Sequence, residues 1–221
     1  MKYSSAFEII GPIMVGPSSS HTAGAVRIGN LARQIMGEQP TKVSFQLYGS
    51  FANTYQGHGT DLALLAGILG MSTASSDVRI ADQIASKMGV EYSFTKANGG
   101  MYHPNTVLIE AVGLTASVKL LASSLGGGKV EVQELDDLPV KFSGEKPTLI
   151  LYHKDQKGFL AKVSEILSSQ GYNIARLTLE RWKRGERAIT VSEVDEEVSN
   201  TTLQAIKDSI PSLKRVFQVQ T

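Results

Sequence analysis

The stretch TLILYHKDQKGFLAKVSEILSSQGYNIARLTLERWKRGERAITVSEV, residues 148–194, decides the fold of the second half of the chain. Thr148–His153 is a short apolar run with strand character. Gly158–Gln170 switches to helical spacing, with Phe159, Leu160, Val163, Ile166 and Leu167 on one face. Gly171 stands where a helix ends in a left-handed residue. Ile174–Lys183 returns to strand character, with Ala175, Leu177 and Leu179 alternating to one side, Arg184-Gly185-Glu186 is a hairpin turn, and Arg187–Val194 is the returning strand. Farther on, Ser199 is the expected N-cap of a helix carrying Leu203, Ile206 and Ile210, and Leu213–Val219 closes as a strand. The order is βαββαβ. It predicts a ferredoxin-like module, two helices on one face of an antiparallel sheet.

Upstream, the polar segment Ser143-Gly144-Glu145-Lys146-Pro147 separates two patterns and sets a boundary, with one domain over 1–145 and a second over 147–221. The first domain mixes elements. Phe7–Met14 is an apolar lead-in, and residues 19–36 predict a helix with Ala23, Val26, Leu31 and Ile35 as its apolar stripe. Val43–Tyr48 alternates as a strand, Asp61–Leu69 is a helix apolar enough to be buried, and another helix covers 80–88. Val90–Thr95 and Thr106–Val112 read as strands. Ser117–Leu125 fits helix or strand, and the triple glycine at 126–128 followed by Val130 and Val132 favours a hairpin. The fold class is α+β.

Composition narrows the function classes. A hydrophobic share of 42% with 19% charged residues suits a packed globular chain rather than a disordered one. The net charge of +1, slightly acidic before residue 145 and slightly basic after it, gives neither half the field to hold a nucleic-acid backbone. No apolar run reaches membrane-spanning length and the first residues lack a signal-peptide layout, so the expected setting is the cytoplasm, with no membrane partner. There is no cysteine, which excludes disulfides, thiol catalysis and a cysteine-held metal cluster on this chain alone.

Three loops carry candidate chemistry. In Gly16-Pro17-Ser18-Ser19-Ser20-His21-Thr22, the proline stops the preceding segment, and four hydroxyls with an imidazole fall at the mouth of a helix. Helix N-termini offer free N–H groups and partial positive charge, which suits a small anion such as a carboxylate, and His21 can move a proton. One cap needs only one hydroxyl. The second loop, Gly49 to Asp61, holds Ser50, Asn53, Thr60 and Asp61, and sets His58 between two glycines that let backbone approach a ligand. The third, Ala97 to Asn105, offers His103 and Asn105, and reads equally well as a turn. The three histidines lack the spacing of known zinc motifs, so no metal site is expected in this chain.

With GPSSSHTAGAVRIG at 16–29, GSFANTYQGHGTD at 49–61 and HPN at 103–105 in view, the whole chain resembles the β subunits of bacterial iron–sulfur-dependent L-serine dehydratases (L-serine ammonia-lyases), ending in an ACT domain. The resemblance implies a first domain similar to the allosteric substrate-binding domain of some phosphoglycerate dehydrogenases. It implies a reaction that takes L-serine to pyruvate and ammonia, in amino-acid catabolism and gluconeogenesis. It also implies a four-iron, four-sulfur cluster held by a separate cysteine-containing α subunit. Under that reading His21 and His58 are the candidate catalytic residues. Ser18, Ser19, Ser20, Thr22, Ser50, Asn53, Thr60, Asp61, His103 and Asn105 are candidates for holding serine.

For the ACT domain, the resemblance implies self-association through its sheet and a ligand near the turn after the first strand. His153, Asp155, Gly158 and Asn173 fall at ligand-contacting positions. Asp155 departs from the pattern of serine-binding ACT domains, which carries Asn there. A carboxylate at that point would repel a ligand carboxylate, so potassium stands beside an amino acid as the expected ligand, and simple pairing of subunits stands beside both. Two other classes compete for the whole chain: a non-catalytic amino-acid sensor, and the regulatory end of a hydroxy-acid dehydrogenase, which the absence of a dinucleotide motif disfavours.

Overall fold

The alternating residues Val43, Phe45 and Leu47 form the buried side of a strand, β1 (Lys42–Leu47), in a computed structural model that describes residues 13–221. The expected apolar lead-in at Phe7–Met14 lies, through residue 12, outside the described residues. The chain divides into two compact units, 1–136 and 137–221.

In the first unit a π-helical turn, Ser19–Ala23, runs into α1 (Gly24–Met36). After β1 come α2 (Gly49–Thr54), α3 (Thr60–Ile68), a single 3-10 turn at Ser76–Ile80, α4 (Ala81–Lys87) and β2 (Glu91–Lys96). β3 (Thr106–Val112), β4 (Ser117–Gly126) and β5 (Lys129–Leu135) complete a five-stranded sheet in the order β2-β1-β3-β4-β5. Only β1 and β2 pair in parallel, which is why three helices intervene between them. β3, β4 and β5 follow by antiparallel pairing. The ambiguous segment 117–125 is a strand because it pairs on both sides, and Gly126, Gly127 and Gly128, all at positive φ, turn the chain into β5.

α1 buries Val26, Leu31 and Ile35 as its spacing predicts. α3 is apolar all round and every side chain from Ala63 to Ile68 is buried, as a helix without a polar face must be. The two helices meet backbone to backbone at a pair of glycines. A methyl on Gly29 would sit 2.5 Å from the Leu64 carbonyl oxygen, and one on Gly67 would run into Val26 O. α2 departs from the expected loop. Its sequence, GSFANT, carries one large apolar side chain and so shows no period. It is held because Phe51 is fully buried and Gly49, at φ +55°, lies against the Pro104 carbonyl.

The second unit runs β6 (Thr148–Lys154), α5 (Phe159–Ser169), β7 (Ile174–Arg181), β8 (Arg187–Val194), α6 (Asn200–Ser209), β9 (Leu213–Val219). Its sheet has the order β7-β8-β6-β9, antiparallel throughout, the ferredoxin-like arrangement read from residues 148–219. Leu149, Leu151, Val194 and Val216 meet Phe159, Val163, Leu167 and Ile206 in one core. α5 ends as Gly171 foretold: Gly171 N–H bonds Ser168 O and Tyr172 N–H bonds Leu167 O, both 3.0 Å, with Gly171 at φ +83°. Ser199 caps α6 by accepting the Thr202 N–H at 3.2 Å. One detail differs. Ala175 does not alternate with Leu177 and Leu179, because the register shifts between Ile174 and Arg176, leaving Ala175 exposed and turning Ile174 to the core. Residues 137–147 go with this unit. Leu138, Val140 and Phe142 are buried, Val194 N–H bonds Pro147 O, and Thr221 N–H bonds Gly144 O.

Candidate functional site

The loop before α1 is built around one imidazole. Ser18 is extended, and its Oγ caps the π turn by accepting the His21 N–H at 3.2 Å. The same oxygen lies 3.2 Å from Ser20 Oγ, and Ser20 Oγ lies 3.2 Å from His21 Nδ1. Ser19 opens the turn, and its carbonyl accepts the Gly24 N–H. On the far side of the ring, His21 Nε2 lies 3.2 Å from Ser50 Oγ at the start of α2. His21 is thus held at both nitrogens by hydroxyls from two separate loops.

Two rings close around it. Phe51 meets His21 edge-on at 5.3 Å between centroids, and His58 stands perpendicular to it at 4.9 Å. His21 is buried while His58 is exposed. Burial, and secondly the neighbouring His58, hold the His21 imidazole below its ordinary value of 6.5, so the ring is neutral at pH 7. A neutral imidazole with hydroxyls on both sides can accept a proton at one nitrogen and give one from the other.

The third loop joins through backbone. Phe51 N–H donates to Pro104 O at 3.2 Å, and Gly49 has room for no side chain against Pro104. His103 Nδ1 accepts the Asn105 N–H at 3.2 Å, and Asn105 O accepts the Ser124 N–H at 2.9 Å. Ser124, on β4, lies over the first residue of α1: a methyl on Gly24 would overlap its hydroxyl. The sequence reading missed two of these groups, Phe51 and Ser124. Phe51 lay in a stretch read as loop, and Ser124 in a segment that fitted two periods equally well.

Four buried polar atoms around this junction have no hydrogen-bond partner among the described residues: Thr22 Oγ1, Thr60 Oγ1, Asn105 Oδ1 and Ser124 Oγ. Buried polar groups in folded proteins are nearly always paired, and leaving one unpaired costs about 1–3 kcal/mol. Of the remaining expected site residues, Asn53 is exposed on α2. Asp61 lies in the first turn of α3, where burial raises its carboxyl and the Leu62 N–H bonds it at 2.9 Å.

The ACT positions look different. His153 is buried, stacked on Phe159 at 3.5 Å, with Nε2 2.9 Å from Thr190 Oγ1 and Nδ1 3.0 Å from Lys154 O. Asp155 Oδ2 takes Arg181 Nη1 at 2.8 Å and the Gly185 N–H at 2.9 Å, and these bonds hold its carboxyl below the ordinary range. Asn173 Nδ2 donates to Asp195 Oδ2 at 2.6 Å. β6 and β7 run the same way, both antiparallel to β8, so Asn173 before β7 and Asp155 and Gly158 after β6 stand at opposite ends of one sheet. Within one chain the structure does not bring these four residues together.

Among the described residues no three His, Cys, Asp or Glu side chains gather as a metal site, and no helix is long and apolar enough to cross a membrane. With no cysteine in its 221 residues, the chain has no donors that fit an iron–sulfur cluster.

Comparison with known proteins gives two family matches, the serine dehydratase beta chain over residues 5–100 and the ACT domain over residues 148–210. A probable L-serine dehydratase beta chain of Bacillus subtilis is 38% identical over 219 residues, 99% of this chain and 98% of that one. The L-serine dehydratase beta chain of Peptoniphilus asaccharolyticus is 39% identical over 204 residues, 91% and 92% of the two chains. D-3-phosphoglycerate dehydrogenase of Mycobacterium bovis is 23% identical over 194 residues, 85% of this chain and 36% of the enzyme.

Proposed function

The chain belongs to the serine dehydratase beta-chain family, and from that premise we propose that it is the β subunit of a two-chain L-serine dehydratase, with its own share of the active site at His21. The observation that carries the site is the convergence of two motif loops on one ring: Ser18 and Ser20 at His21 Nδ1 from one loop, and Ser50 at Nε2 with His58 perpendicular to the ring from the other.

The substrate brings a carboxylate, an ammonium and a hydroxyl. The mouth of α1, with its serine hydroxyls and free N–H groups, suits the carboxylate. Neutral His21 orients serine or moves a proton between Ser20 and Ser50, and exposed His58 faces the incoming ligand. Converting serine to pyruvate requires loss of the Cα proton and the hydroxyl as water, then hydrolysis to release ammonia. Because no donor set here fits the iron–sulfur cluster, that cofactor is assigned to a cysteine-containing α subunit, and no step on this chain runs through it. The ACT domain is proposed to pair copies of the assembly, in the cytoplasm.

The test is His21→Ala in the reconstituted two-chain enzyme. Turnover should fall by about 10²–10⁴, the usual contribution of a positioned proton-transfer group. Near-normal turnover removes His21 from the site. Failure of any cysteine-rich chain to copurify with this one would favour the sensor reading instead.

A further inference from the structure

Charged residues that face each other across strands are, with one exception among the described residues, of opposite sign. Lys42 faces Glu91, Glu110 faces Lys119, and Arg176 faces Glu193. Two of these form ion pairs, at 3.9 and 3.7 Å. The exception is Lys154 opposite Arg187, at the hairpin end of the second unit. Like charges directly opposite one another destabilise a sheet.

More positive charge gathers at the same end. Lys214, in the register shift at the start of β9, lines the same cleft as Lys154, and Lys183 and Arg184 form the hairpin tip. Lys154, Lys183, Arg184 and Lys214 are without ion-pair partners among the described residues, whereas Lys146, Lys162 and Arg181 in the same unit are each paired with a carboxylate. Asp155, next to Lys154 in sequence, already holds Arg181 and the Gly185 N–H. Among the described residues Glu186 is the one acid that lines the cleft.

Between these groups lies a cleft of about 360 Å³, lined by His153, Lys154, Gly185, Glu186, Arg187 and Lys214. That volume falls within the range of small-molecule sites. Its lining is mostly apolar although four of its six residues are charged, so the long side chains line it chiefly with their aliphatic stems.

We propose that this cleft binds a small organic phosphate, its dianion set between Lys154, Arg187 and Lys214 and its carbon body on the aliphatic floor. A dianion relieves the Lys154–Arg187 repulsion, for which the single carboxylate in the lining, Glu186, is set against three cations. The occupant therefore differs from the amino acid or potassium expected at the adjoining turn, where Asp155 Oδ2 already accepts from Arg181 and the Gly185 N–H.

The protein supplies its own reporter. Trp182 is its single tryptophan, is 45% exposed, and has the Arg187 guanidinium 5.5 Å from its ring centre. The full chain is titrated with glycerol phosphate and with inorganic phosphate at constant ionic strength, following Trp182 fluorescence. A saturating change is expected with glycerol phosphate. A change with both at similar affinity assigns the recognition to the phosphate group, and tighter glycerol phosphate binding assigns part of it to the floor. Lys154→Gln with Lys214→Gln should weaken binding by about tenfold or more. Lys42→Gln with Lys87→Gln, which removes the same charge elsewhere, should leave it unchanged. A linear response, equal affinity in the Lys154/Lys214 variant, or tighter binding of an oligonucleotide or of polyglutamate would overturn the proposal.

Discussion

His21 and His153 are both buried imidazoles with a hydroxyl on Nε2, and they have opposite surroundings. Around His21, Thr22, Thr60, Asn105 and Ser124 keep buried polar atoms without partners, and an exposed second histidine stands over the ring. Around His153, both ring nitrogens are bonded, its face is covered by Phe159, and neighbouring Asp155 is bonded twice. The second unit's own unpartnered atoms, Ser192 Oγ and Ser212 Oγ, belong to none of the expected ligand residues. We propose that serine uses the spare hydrogen-bonding capacity at the His21 junction, whereas the bonds around His153 are already made within the chain.

The largest expected effect separates the two histidines by what they damage. His21→Ala should cost about 10²–10⁴ in turnover per folded molecule of the two-chain enzyme, beyond the stability lost with its packing on Phe51. His153→Ala should act on stability alone. It empties a core position and strands the Thr190 hydroxyl, for a loss of about 2–4 kcal/mol in chemical denaturation, with turnover per folded molecule unchanged. If His153→Ala abolishes serine turnover in protein that is still folded, the comparison fails.

The hydroxyls give a finer test. Thr190→Val removes the bond to His153 Nε2 and should destabilise by about 1–2 kcal/mol. Thr60→Val removes a hydroxyl that bonds nothing among the described residues, so stability should hold or rise by up to about 1–3 kcal/mol. If that hydroxyl serves a ligand, KM for serine should rise by about three- to tenfold. Destabilisation by Thr60→Val with unchanged KM would make it a structural group like Thr190.

The smallest effect is on pH. Burial lowers both His21 and His153 below 6.5, so the unfolded chain takes up protons that the folded chain refuses. Their contribution to stability is complete above pH 6.5 and falls as the pH drops from there toward the folded values. Asp155 and Asp195 are lowered too, and their contribution is present above 3.8 and lost as pH falls through their folded values. Denaturant midpoints should therefore drop between pH 7.5 and 5.5, and the drop should shrink in His153→Gln. A flat profile in that window would show that neither ring resists protonation.

Local sequence disclosed most of the architecture. The second unit was legible because each element carries its own period and its own punctuation, from Gly171 ending α5 to Ser199 starting α6. α2 was hidden because six residues with one large buried side chain show no period, and β4 because Leu120 to Ser124 are buried on both faces of the sheet and so lose polar alternation. The candidate loops were legible as excess: more hydroxyls than a helix cap uses, and a histidine between glycines.

By itself, then, the sequence determined the family, the βαββαβ order and the loops able to carry chemistry, because those depend on residue type and short-range spacing. The tertiary structure alone decided which polar groups stay uncommitted. Ser50 reaches His21 from 29 positions away, Thr190 reaches His153 from 37, and Arg181 neutralises Asp155 from 26. Whether a buried histidine or carboxylate remains available to a ligand depends on partners that only the packing of strands and helices brings within 3.2 Å or less.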